Sequence, residues 1–202
     1  RTAASAITAM ASVSGSAFAS ANIDLNLILL SASTEAAVYG SVRADEITVL
    51  ALYNKKEDGT AVGSGKAMAN GIAVAVSAGF SGNGSVVVVF HNAATRAILS
   101  AENGAISARS ITVKADSVTF TEAGVLSIAG GIAGIALVVL YQDVQSVTET
   151  LILLGGGSLT AAGDLSLSAL GSNQIITISA AASAGAAGVT ASAAVSKLRG
   201  TI

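Results

Sequence analysis

The chain has 202 residues, 52% hydrophobic and 11% charged, with 22 Gly, no Pro, Cys or Trp, and a formal net charge of −2. That composition excludes a disordered chain and a disulfide-stapled one, and it leaves ample apolar surface for a core. The scattered Lys and Arg form no basic stripe, which argues against an electrostatic nucleic-acid surface and a polybasic membrane anchor.

In chain order, the opening RTAASAITAMASVSGSAFASA carries an Ala17-Phe18-Ala19 pattern like a signal-cleavage site. Ser and Thr interrupt its apolar part, so a retained signal peptide is not expected. Beyond it the chain is repetitive. LNLILL from Leu25, VVVVF from Val86 and ALVVLY from Ala136 each lead through a polar break to TEAAV from Thr34, TRAIL from Thr95 and TETLI from Thr148. A second block comes after each: SVRADEITVLA from Ser41, AISARSITVKA from Ala105, and SLTAAGDLSLSA from Ser158. A third block of Gly, Ala and Ser precedes each apolar run and occurs four times. Marked by Gly15, Gly79, Gly131 and Gly185, it gives spacings of 64, 52 and 54 residues. The units expected are 15–78, 79–130, 131–184 and a partial 185–202, all within one repetitive domain spanning 1–202.

Residues 123–141 contain no charge and place Gly130 and Gly134 four apart, as a membrane-spanning helix with a small-residue face would. The sibling segments argue for strand instead. VAVSAGFSGNGSVVVVF breaks midway into polar turn residues, and SAGAAGVTASAAVSK is mostly Ala and Ser. Ile111-Thr112-Val113 and Ile176-Thr177-Ile178 show the two-residue period of strands. No excess of Lys or Arg flanks the run, so a membrane-spanning segment is not expected. Short strands separated by Gly, Asn and Ser turns predict a β-solenoid with about three coils per unit, each of about 18 to 20 residues and stacked about 4.8 Å apart.

The longest unit contains YNKKEDGTAVGSGK, residues 53–66, the one dense charge cluster. Lys55, Lys56, Glu57 and Asp58 before Gly59 read as a solvated loop projecting from the solenoid. In Leu27–Leu30 and Val86–Phe90 both alternating faces are aliphatic, so each strand needs cover on two sides, and lateral or end-to-end association with other copies is expected. The final SAAVSKLRGTI restarts the repeat without a polar cap, as in a longer array or a polymerising subunit.

Chemistry-bearing residues are sparse. His91 is the one histidine and there is no Cys, which leaves no zinc set; it reads as a strand-end residue with satisfied hydrogen bonds. Arg43, Asp45 and Glu46 share a block position with Arg109 and Asp164, but three coils per unit would hold them about 14 Å apart, too far for joint catalysis. They are expected to be solvated corner charges. Asn92 and Asp143 occupy the polar breaks, with Thr34, Thr95 and Thr148 beyond them, and are expected in turn-capping or ladder hydrogen bonds. Neither GGGSLTAAGD nor SGNGS carries the acids of a calcium site, and Gly63-Ser64-Gly65-Lys66 is no phosphate loop. Asn83-Gly84-Ser85 matches a glycosylation sequon and reads as a turn.

The succession GGIAGIALVVLYQDVQSVTETLIL and then GSLTAAGDLSLSA resembles the repeats of very large secreted bacterial surface proteins, the filamentous-haemagglutinin-like and leukotoxin-like adhesins. The resemblance implies a right-handed parallel β-helix, an extracellular or cell-surface location, and a role in adhesion or fibre building. The expectation is therefore an all-β solenoid with no catalytic, metal or cofactor residues, whose partners are other copies of itself and host or neighbouring-cell surfaces. Its function would be that of a self-associating structural subunit of a bacterial fibre or surface layer. A non-binding stalk segment of a giant adhesin and a carbohydrate-active β-helix enzyme are the alternatives.

Overall fold

The computed structural model describes residues 3–62 and 65–202, and among these it contains strands and no helix. The strands are β1 Ala6–Ser16, β2 Ala19–Tyr39, β3 Val42–Tyr53, β4 Ala67–Ser77, β5 Phe80–Ser100, β6 Ala105–Gly130, β7 Ala133–Leu153, β8 Ser158–Ala161, β9 Leu165–Ala184 and β10 Ala187–Thr201. Every pairing between them is parallel. One sheet runs β10-β7-β5-β2. The second runs β1-β4-β6-β3, with β8 and β9 on the far edge of β6. Proline is absent and β-branched residues recur, so nothing breaks these strands, and several far exceed the usual length of about 5 to 6 residues.

The register shows how the repeats are used. Thr34 lies beside Thr95 and Thr95 beside Thr148, while Ala6 lies beside Ala67 and Ala67 beside Thr121. Each strand's neighbour is thus one whole unit along the chain, not a third of a unit as coils of about 18 to 20 residues would require. The expected turns inside each unit do not form. SGNGS, residues 81–85, stays extended within β5, because its small inward residues Ser81, Asn83 and Ser85 let the facing sheet approach. Asn83 Nδ2 donates to Ile128 O of that sheet at 3.1 Å. Asn26 Nδ2 to Asn70 O at 3.1 Å and Gln142 Nε2 to Ile176 O at 3.0 Å bridge the sheets in the same way. These bonds satisfy amide N–H groups that would otherwise be costly to bury, while Asn83 Oδ1 and Gln142 Oε1 are buried without a partner.

The real corners are Ala17-Phe18, Ala78-Gly79, Gly131-Ile132 and Gly185-Ala186 at one end, with Gly40, Ala101–Gly104 and Leu154–Gly157 at the other. At the first end Phe80 N donates to Phe18 O at 2.9 Å and Ala133 N to Gly79 O at 3.1 Å, so the corners stack on one another. Phe18 is the structural counterpart of Gly79, and Gly15 instead pairs with Val76, three positions from the glycine-marked spacing.

Two apolar clusters fill the space between the sheets. Ile47, Val49, Leu99, Ile106, Ile111 and Val113 make one; Ile28, Val87, Val89, Val125, Val138 and Leu140, packed with alanines, make the other. Full burial of each such side chain contributes about 1.5–3 kcal/mol. The inward set changes phase in β6, from Ile106 and Ala108 to Ile111 and Val113, across a bulge at Arg109. In the next unit Ala162–Asp164 fills the same place, with Ala162 N on Ala108 O and Gly163 N on Arg109 O.

Candidate interaction surface

The outward residues divide the molecule into two halves. Near the Gly79 corners, the outer face of the first sheet carries Leu25, Val86 and Val139 side by side, then Leu27, Val88 and Tyr141. The outer face of the second sheet there carries Ile72 beside Leu126 and Val74 beside Ile128. Exposure reaches 81% for Ile23, 69% for Leu29 and 80% for Val13, which sets this surface apart from scattered single hydrophobics. The interior of the same half combines the second aliphatic cluster with small and polar residues near the corners: Ser81, Ser85 and Ser127 are buried, and so is Asp24. Away from those corners the pattern is conventional, with an aliphatic interior and an outer face bearing Glu35, Arg96, Glu149 and Lys114. Charge follows the same division with one exception, the buried Asp24: residues 67–90, 123–142 and 165–196 contain no Asp, Glu, Lys or Arg.

The boundary between the halves is marked by aromatic rings. Phe90 and Tyr141 lie 5.7 Å apart, with Lys197 Nζ 5.4 Å from the Tyr141 ring centroid. Lys66 Nζ stands 5.9 Å from the Phe120 ring on the other sheet. Asp143 sits here too, paired with Arg199 and accepting a bond from Tyr141 Oη at 3.3 Å. The Arg199 hydrogen bond holds its carboxyl below the usual carboxylate range.

Thr34, Thr95 and Thr148 form one buried line across β2, β5 and β7, within strands rather than at turns; Thr148 Oγ1 lies 2.6 Å from Ser117 Oγ, but Thr34 Oγ1 and Thr95 Oγ1 have no hydrogen-bond partner, so the expected capping or ladder bonds do not form at those two. Asn92 is exposed and pairs in register with Gln145, so it does not align with Asp143, whose neighbours are Phe90 and Lys197. Arg43, Asp45, Glu46, Arg109 and Asp164 lie on adjacent strands or at the bulge, not about 14 Å apart, because units are direct neighbours. They are exposed, and no ion pair joins them among the described residues. No group of three or more potential metal ligands occurs among the described residues either.

Residues 54–66 are inserted where Val118–Phe120 continues straight in the next unit, because Tyr53 pairs with Ser117 and Ala67 with Thr121. Lys55 folds back, its Nζ 2.8 Å from Asp116 Oδ1, while Lys56, Glu57 and Asp58 are exposed. Asp58 Oδ1 accepts the Thr60 backbone N–H at 2.8 Å. Asn54, in a left-handed conformation at φ 53, anchors the base by donating to Gly65 O and Val118 O, each at 3.0 Å. Gly63 and Ser64 of this loop lie outside the described residues.

His91 is not at a strand end. It is fully buried in the middle of β5, with Nε2 3.1 Å from Tyr53 Oη and Nδ1 3.0 Å from Thr121 Oγ1. Burial lowers its pKa to about 4 and raises that of Tyr53. A neutral ring, donating at one nitrogen and accepting at the other, suits both hydroxyls. The sequence pointed to a satisfied ring but not to its depth, which depends on Tyr53 and Thr121 arriving from the other sheet.

Fold and surface together define an all-β repeat protein of long parallel strands whose distinctive feature is a two-faced apolar half. No family model, curated protein or solved structure matches the chain.

Proposed function

We propose that the chain is a segment of a right-handed parallel β-solenoid and acts as a self-associating structural element of an extracellular bacterial fibre or surface layer. The observation that carries this reading is the uniform register, in which like residues of successive units lie side by side on both sheets. β10 pairs on one side only, with β7, and β2 pairs only with β5, so both edges of the first sheet offer free backbone groups of the same spacing. Parallel addition of a further unit, from another copy or from the same chain, continues the ladder. The right-handed sense rests on the strong bias of parallel crossovers. The repeated pairing also suits a stalk segment of a large adhesin, in which binding resides elsewhere.

Electron microscopy of detergent-free protein separates these readings. Regular filaments with a layer line near about 4.8 Å are expected of self-association. Monodisperse particles that remain monomeric at high concentration would contradict it and leave the stalk.

A further inference from the structure

We propose that the apolar half of the molecule, whose one charged residue, Asp24, points into the interior, is built to enter the hydrocarbon of a lipid bilayer, corner first, with the aromatic boundary at the headgroups. A protein partner covers one face of a sheet. Here the outer faces of both sheets are apolar, and so is the corner between them, where Phe18 is 85% and Ile132 66% exposed. A surrounding lipid phase is the environment that covers all three at once.

The dimensions agree. From Phe80 at the corner to Phe90 at the boundary, β5 spans about 33 Å at 3.3 Å per residue, against a hydrocarbon thickness of about 30 Å. Tyr and Lys settle at a membrane interface, the ring at headgroup depth and the ammonium reaching toward water. Tyr141 with Lys197 provides that combination at the boundary on the first sheet, and on the second Lys66 stands at the same level over the Phe120 ring. Beyond the row containing Phe90, the first sheet's outer face turns to Asn92 and Gln145, then to Arg96 and Glu149.

Lipid demands that backbone groups be satisfied internally. At the corners they are bonded between units: Phe80 N to Phe18 O, Ala133 N to Gly79 O, and Ala187 N to Ile132 O at 2.9 Å. Within the sheets the ladders do the same, and the inward amides of Asn26 and Asn83 bond across to backbone carbonyls. The bare edges at β2 and β10 need a further unit on each side, so the inference rests on the stacking reading at those two strands. The uncharged run 123–142, which has the composition of a membrane helix, is the end of β6, a corner and the start of β7. No helix among the described residues is long and apolar enough to cross a membrane. The lipid-facing surface is instead carried by alternate residues of strands.

The chain has no cysteine, so a single introduced thiol reports one depth. Val139→Cys in the apolar half and Thr48→Cys in the charged half are labelled with an environment-sensitive fluorophore and mixed with phosphatidylcholine vesicles containing brominated acyl chains. The expected result is flotation with the vesicles, little changed by salt, with the label at position 139 quenched by bromine and the label at position 48 quenched only from water. Val139→Glu should reduce flotation at least tenfold, and Glu35→Gln should not. Protein that stays at the bottom of the gradient with both labels water-accessible overturns the proposal. So does a label at position 139 already shielded without vesicles, which assigns the face to a second copy. Filaments seen without lipid in either case keep the stacking reading intact, whereas flotation without filaments supports insertion of a chain whose own further units, not other copies, cover β2 and β10.

Discussion

Gly131→Ala is expected to lower the free energy of unfolding by about 3 kcal/mol, at the upper end of what overpacking a rigid site costs. A Cβ on Gly131 would stand 2.8 Å from Gly79 O and 2.9 Å from Ser77 O. Both are backbone atoms held at the corner, so no flexible side chain can swing aside. Gly185 holds the same corner position in the next unit, and a Cβ there would collide with Gly131 O; Gly79 holds the adjoining position, in register with Phe18 and Ile132, where a Cβ would collide with Phe18 O. Phe18 is the first-unit counterpart of Gly79; it is exposed and has no earlier corner among the described residues beneath it, so a large side chain fits. Phe18→Ala should therefore change stability by no more than about 0.5 kcal/mol. Urea denaturation monitored by circular dichroism gives both values, and equal midpoints for Gly131→Ala and wild type would refute the stacked-corner account.

The second large effect is on pH. Stability should fall by about 3 kcal/mol as pH drops from about 6.5 to about 4, because one histidine changes its proton affinity on folding. In the unfolded chain His91 binds a proton near its ordinary pKa of 6.5, whereas in the fold burial delays protonation to about 4. Between those values the unfolded state holds more protons, so acid favours unfolding. The contribution is fully present above about 6.5 and is lost as pH falls toward the folded value. Asp143, held low by Arg199, loses its contribution only below the ordinary carboxylate range, so the two windows separate. Urea midpoints measured from pH 7 to pH 4.5 should slope for wild type and flatten for His91→Gln. An unchanged slope in that variant would place the effect elsewhere.

The repeat, its parallel all-β character and the alignment of Thr34, Thr95 and Thr148 were legible in the sequence because each depends on local pattern or on identical residues recurring. The coil length was not. Gly82, Asn83, Gly84 and Ser85 have strong turn chemistry, and the opposite sheet keeps them extended, through Ile128 O accepting from Asn83. The role of the inserted loop was half legible. Its charges are solvated as their density implies, but the return of Lys55 to Asp116 required knowing that β6 runs straight past the insertion. The apolar half had a visible signal in the long uncharged runs. Reading them one at a time suggests a helix, whereas their common position beside the corners emerges only when the units are aligned on strands one repeat apart.

The distance between chemistry-bearing residues depended on the same point. Arg43, Asp45 and Arg109 looked remote because units were expected to be three coils apart, and a one-unit register makes them neighbours. Their exposure, not their separation, is what keeps them from forming a shared desolvated site.

That register is the central claim, and a pair of cysteines tests it most directly. Val86 and Val139 are direct partners on β5 and β7, and neighbouring strands about 4.8 Å apart lie within the Cα separation a disulfide accepts. The double variant Val86→Cys with Val139→Cys should form an intramolecular disulfide rapidly under mild oxidation, seen as a mobility shift on a non-reducing gel and mapped by mass spectrometry. Val86→Cys with Ala105→Cys, spaced as a short coil would require, should remain reduced. Rapid closure of the Ala105 pair with none in the Val139 pair would contradict the one-unit register and everything built on it.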